Sequence, residues 1–210
     1  MTFRLRGRDL YGRSVCSGDE IVGVVRDLLF DHRDWTVRYL VVETGAWPSP
    51  RRVLLVPGNL QGVHAETAPL CTSLSAIQVA DCPLASTHPP ADQEYARRLM
   101  EQSATMLHWA DDAPPVEPGR DTNPLESAQA IRCYRVARPP AGAGLVVDVL
   151  MQTPQEQFAP TVESLVIRGR LFWWRRWHLP VDREVQICHA SRRIFMLGRP
   201  PFRADRRAFA

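Results

Sequence analysis

The chain has 210 residues, enough for one large domain or two small ones. Hydrophobic residues make up 45%, which supplies a core and excludes a disordered chain. The formal charge is +3, too small to demand a nucleic-acid partner; all 26 basic residues are arginine, a compositional bias that still permits bidentate and stacked contacts.

The opening MTFRLRGRDLYG carries a charge every second or third residue and lacks the apolar run of a signal peptide. No later stretch reaches the ~18–20 apolar residues of a transmembrane segment, so a cytoplasmic location is expected. Residues 14–64 read as β structure. Ile21–Phe30 is a strand interrupted by Arg26 and Asp27, and the polar cluster Asp31–Asp34 closes it. Trp35–Glu43 alternates, which predicts Trp35, Val37, Tyr39 and Val41 on one face and Thr36 and Arg38 on the other. Leu40 and Val42 break that alternation, as burial on both faces would require. A turn over 44–50 leads to a short strand, Arg51–Val56, ending at Pro57.

Residues 70–109 change character. Pro89-Pro90, then Asp92 as an N-cap and Tyr95, Leu99 and Met106 beyond it, predict a helix. The proline-rich, acidic stretch Asp111–Asn123 reads as a linker. After it the first pattern returns. Gly23-Val24-Val25-Arg26-Asp27-Leu28-Leu29 aligns with Gly144-Leu145-Val146-Val147-Asp148-Val149-Leu150, Val37–Val42 with Val162–Ile167, and Val56-Pro57 with Leu179-Pro180. The offsets are 121, 125 and 123 residues, so the insertion and the deletion both fall in loops.

These residues resemble the PRC-barrel family, small β-barrels found in the H subunit of bacterial photosynthetic reaction centres and in a ribosome maturation factor. The resemblance lies in Gly23, Asp27, the strand Trp35-Thr36-Val37-Arg38-Tyr39-Leu40-Val41-Val42, Trp47 and the strand ending at Pro57. Leu74-Ser75 to Pro83, Gln93-Glu94-Tyr95 and His108-Trp109 are similar to the tail of stand-alone, two-barrel bacterial members. It covers residues 8–109 closely and 128–196 more weakly, where the Trp-x-x-Arg-Tyr strand is missing. It implies a mainly β fold of two tandem barrels, with a helical segment and a linker between them. The expected divisions are a first barrel over 1–70, a helical extension and linker over 71–127, a second barrel over 128–196 and a basic tail over 197–210. It also implies a docking or packing role, since stand-alone members have no established activity.

The candidate sites follow. Gly23, Asp27, Pro57 and Gly144, Asp148, Pro180 are expected to be equivalent structural anchors, the aspartates accepting backbone or arginine hydrogen bonds. A proton relay, by analogy with acidic residues of the reaction-centre subunit, is the other reading of Asp27 and Asp148. The run from Arg168 to Trp177 interleaves arginine with aromatics, so Trp173, Trp174, Arg175 and Arg176 form the expected interaction surface. Adjacent Trp173 and Trp174 leave opposite faces of a strand, so one of them must meet something outside its own barrel. The six histidines show no metal spacing. The five cysteines (Cys16, Cys71, Cys82, Cys133, Cys188) are scattered without a CxxC pair and read as small buried or semi-buried hydrophobes. No catalytic, cofactor or metal set is expected. The chain is read as a non-enzymatic interaction or scaffold module with a protein partner or self-association. The alternatives are an RNA- or ribosome-associated factor and an enzyme with an unrecognised site.

Overall fold

The computed structural model describes residues 2–45, 49–61, 68–85, 125–136, 144–154, 158–169, 176–181, 185–188, 192–196 and 203–204. The helix expected after Pro90, the linker over 111–123 and most of the basic tail lie outside these residues. In chain order the first half contains β1 (Thr2–Arg6), the short helix α1 (Gly7–Leu10), β2 (Ser14–Ser17), β3 (Glu20–Asp31), β4 (Val37–Thr44) and β5 (Arg51–Leu55). A 3-10 turn over Pro57–Asn59, β6 (Leu70–Thr72) and α2 (Ala76–Ala80) complete it. Ser75 caps α2 and Gln78 returns a hydrogen bond to the cap, an S-x-x-Q box. The second half contains β7 (Leu125–Ser127), β8 (Arg135–Val136), β9 (Gly144–Pro154), β10 (Thr161–Gly169) and β11 (Arg176–Pro180). After these come β12 (Val185–Cys188), β13 (Arg193–Met196) and β14 (Arg203–Ala204).

The protein is mainly β, with two sheets. One runs β5-β4-β3-β2-β6, the other β12-β13-β8-β9-β10-β11-β14. Their central hairpins are built alike. In β3–β4 the ladder skips Arg26, between Val25 and Asp27, and then Arg38, between Val37 and Tyr39. In β9–β10 it skips Val147, between Val146 and Asp148, and Glu163, between Val162 and Ser164. Both bulges therefore recur at the 121- and 125-residue offsets. The repeated glycines have a steric reason. A Cβ on Gly23 would lie 2.6 Å from Val42 Cγ1 and 2.7 Å from the Glu43 carbonyl oxygen; one on Gly144 would lie 2.3 Å from Ile167 Cγ2. Val42 and Ile167 are themselves equivalent.

The bulge at Arg38 overturns the expected face of β4. Trp35, Val37, Leu40 and Val42 face the main core, whereas Tyr39 and Val41 pack with Leu54 and Val56 in a second, smaller cluster. One inserted residue inverts the alternation beyond it. Trp35 itself precedes the strand, with φ +61°, and stacks on Phe30 at a centroid distance of 5.4 Å. The prolines also need a correction. Leu55 opposes Leu40 and Leu179 opposes Leu165, so Pro180, opposite Ser164, corresponds to Val56 and not to Pro57. A proline can close a strand from either neighbouring position, so matching by residue type misses the register by one.

The halves also exchange strands. β1 pairs with β9, setting Leu5 opposite Met151 and Arg6 opposite Leu150. β7 pairs with β3, setting Glu126 opposite Phe30 and Ser127 opposite Leu29. These are equivalent pairings, each made to the other half. Thr36 and Thr161, also equivalent, pair with one another. The Val37 amide donates to the Pro160 carbonyl at 3.0 Å, and the Val162 amide donates to the Trp35 carbonyl at 2.8 Å. The two halves are thus related by an internal twofold passing between these threonines. Leu5, Leu28, Phe30, Val149 and Met151 belong to one continuous core. Cuts after residue 70 and before 128 would leave each sheet without a strand.

Candidate functional site

Two places concentrate polar chemistry, and the internal twofold makes them comparable. The first surrounds the aspartates. A bulge turns the following amide toward the aspartate's own carboxylate: the Leu28 amide donates to Asp27 Oδ1 at 2.7 Å and the Val149 amide to Asp148 Oδ1 at 2.9 Å. The second donor comes from the exchanged segment in each case. It is the Gln129 amide for Asp27, at 3.1 Å, and the Arg8 amide for Asp148, at 3.2 Å. Ser127 Oγ also donates to Asp27 Oδ2, while Arg8 Nε stands 3.7 Å from Asp148 Oδ2. Each carboxylate therefore fastens a strand arriving from the other half. Burial raises the pKa of both, outweighing the hydrogen bonds that favour the ionised form.

Tyr11 follows α1 and feels the charge of both carboxylates. Its Oη is buried and has no hydrogen-bond partner among the described residues. Burial first, and then the charges of Asp27 and Asp148, push its pKa well above the ordinary tyrosine value. Both aspartates thus act on one phenol, a juxtaposition that residue spacing does not announce.

The second place is the outer surface of each hairpin. In the first half Glu43 lies between two arginines, with Arg26 Nη2 at 2.6 Å and Arg52 Nε at 3.4 Å. The hydrogen bond from Arg26 leads in holding the Glu43 carboxyl below its ordinary range. In the second half the equivalent positions are Val147, Arg168 and Arg176. The acid has become a base. Arg168 and Arg176 stand directly opposite one another on β10 and β11, and neither has an acidic partner among the described residues. Like charges in that position repel. Arg168 is exposed and Arg176 half-buried. Trp173, Trp174 and Arg175 lie outside the described residues, so Arg176 alone of the expected surface is placed. Trp177, next along β11, packs against the core. Arg168 opens the run singled out in the sequence but was not named among its four surface residues; aligning Glu43 with Val162–Ile167 extended by one residue exposes the charge reversal.

No group of three metal-binding side chains is present among the described residues. No helix there is long and apolar enough to cross a membrane. Of the cysteines read as buried or semi-buried, Cys16, Cys71 and Cys82 are so, whereas Cys133 is exposed; Cys16 and Cys71 meet across β2 and β6.

A family model of the PRC-barrel domain matches residues 4–67. Residues 4–67 belong to the PRC-barrel family. The matched PRC-barrel segment begins within β1, the strand that pairs with β9, so its first strand lies in the sheet of the other half. The bulged hairpin with Gly23 and Asp27 also lies inside the PRC-barrel match. No curated protein matches the chain.

Proposed function

We propose that the chain is a non-enzymatic docking module in which a PRC-barrel domain is fused to a diverged second copy, and that the second copy binds a carboxylate-rich segment of a protein partner. The replacement of Glu43 by Arg168 across the internal twofold carries this reading. It leaves two facing guanidiniums where the first half neutralises its own, and an incoming carboxylate relieves their repulsion with bidentate hydrogen bonds. The interleaved tryptophans between β10 and β11 in the sequence supply apolar contact area. A protein partner suits the charge distribution better than RNA. Arg4, Arg8, Arg26, Arg33 and Arg38 are engaged by Glu163, Asp148, Glu43, Asp31 and Asp34, so these five arginines do not contribute to a basic face of the kind nucleic-acid binding requires. A cytoplasmic setting belongs to the same proposal.

The test is recovery of partners from native lysate by the full chain and by Arg168→Glu, with and without nuclease. A partner held by the parent, lost by the variant and indifferent to nuclease is expected. Recovery abolished by nuclease would instead establish the RNA-associated alternative, and recovery unchanged in Arg168→Glu would overturn the assignment of the surface.

A further inference from the structure

β6 is a three-residue strand at the end of its sheet, paired in parallel to β2 with Val15 opposite Leu70, Cys16 opposite Cys71 and Ser17 opposite Thr72. Directly opposed residues of neighbouring strands project from the same face. The strand spacing of about 4.7–4.9 Å falls inside the Cα separation of about 4.4–6.8 Å that a disulfide spans. The two Sγ atoms are 2.7 Å apart, so no backbone displacement separates the thiols from bonding. In the second half the equivalent parallel ladder, β8–β13, pairs Arg135 with Arg193 and Val136 with Ile194, and neither strand contains a cysteine. The fold itself does not ask for sulfur there.

From this geometry we infer that Cys16 and Cys71 form a reversible thiol–disulfide pair whose oxidant is a hydroperoxide. Cys71 is the less buried of the two residues; Cys16 is buried, and burial first and then the hydrogen bond with Cys71 push its thiol up to about 11. The Cys71 thiolate attacks the peroxide oxygen, breaking the O–O bond to give a sulfenic acid and, from hydrogen peroxide, water. The Cys16 sulfur then displaces hydroxide from the sulfenic sulfur. Overall two thiols and one hydrogen peroxide give one disulfide and two waters, the sulfurs being oxidised by two electrons and the peroxide reduced. The bond fastens β6, and α2 behind it, to β2 and closes a loop containing β3, β4 and β5. A dithiol reductant returns both thiols. Such a bond suits a reducing compartment, where disulfides that persist only transiently act as sensors.

The test uses the full chain treated with hydrogen peroxide or with dithiothreitol, alkylated, digested after arginine and analysed by mass spectrometry. A peptide over 14–26 joined to one over 53–97 is expected, with fragmentation assigning the bond to Cys71 and not Cys82. The oxidised chain is expected to melt about 10 °C higher than the reduced chain, the gain vanishing on reduction and in Cys71→Ala. The comparison within the parent chain needs no variant, so misfolding of a cysteine mutant cannot hide the result. Exposed Cys133 reports that peroxide acted. If Cys133 is oxidised while Cys16 and Cys71 both remain alkylatable, or if Cys71 advances to a sulfinic acid without forming the bond, the inference is wrong.

Discussion

Replacing Asp27 with alanine should loosen β7 from the first sheet before anything else changes. The carboxylate accepts from the Leu28 amide, the Gln129 amide and Ser127 Oγ, and Ser127 Oγ in turn accepts from the Ala130 amide at 2.9 Å. A buried donor left without an acceptor costs about 1–3 kcal/mol. Gln129 is exposed, so its amide rehydrates; the Leu28 amide and the Ser127 hydroxyl carry the loss. Against this, the variant no longer buries a carboxylate. A net destabilisation of about 2 kcal/mol follows, which for a chain of this size lowers the melting temperature by roughly 4–8 °C. Scanning calorimetry measures the shift, and amide exchange read by mass spectrometry locates it. Protection should fall most over 125–132 and least over β4. Because Asp27 and Ser127 share one hydrogen bond, Asp27→Ala and Ser127→Ala should be less than additive when combined. An unchanged melting temperature, or exchange that rises equally across both sheets, would refute the fastening role.

Asp27→Asn and Asp31→Asn should diverge with pH. Burial raises Asp27 in the folded state, so its contribution is fullest below the unfolded value of 3.8 and is lost as pH rises through the folded pKa; the stability of the parent relative to Asp27→Asn should therefore grow on acidification, and a shrinking difference would contradict this. Burial also pushes Asp31 upward, but hydrogen bonds from Arg33 and the charges of Arg33 and Arg38 hold it below its ordinary value. The advantage of the parent over Asp31→Asn should be present above 3.8 and fade as pH falls through the folded pKa, a trend that thermal melts from pH 7 to pH 3 will reveal or exclude. Gly23→Ala should cost about 1–3 kcal/mol, because the added methyl meets the Glu43 carbonyl oxygen, which cannot move without disturbing the ladder; a stability within error of the parent would remove the steric account of the repeated glycine. Cys133 has φ +75° and an exposed side chain, where its counterpart is Gly12 at +83°. Cys133→Gly should raise the melting temperature by about 1–2 °C, and a lower melting temperature would show the left-handed backbone there to be unstrained.

The repeat was legible in the sequence because its markers act locally. Gly23 and Gly144 are required by a close approach within one hairpin, and Asp27 and Asp148 by a bulge in the same hairpin, so residue type and spacing report them directly. The aspartates' role as acceptors was legible for the same reason. The donors from the other half were not, since Ser127, Gln129 and Arg8 lie about a hundred residues or more away along the chain. Alternation failed at β4 because a bulge changes phase without changing composition: Arg38 looks like any outward residue, yet it inverts every position after it. The pairing of Cys16 with Cys71 depends on a parallel register between strands with three others between them in the chain, and no local pattern encodes that. The exchange of β1 and β7 lay furthest from sequence. The two halves present equivalent ladders, so the hydrophobic pattern of Phe3-Arg4-Leu5 suits either β3 or β9. Only the tertiary arrangement around Thr36 and Thr161 decides between them, by bringing the free side of each hairpin alongside the strand that enters from the other half.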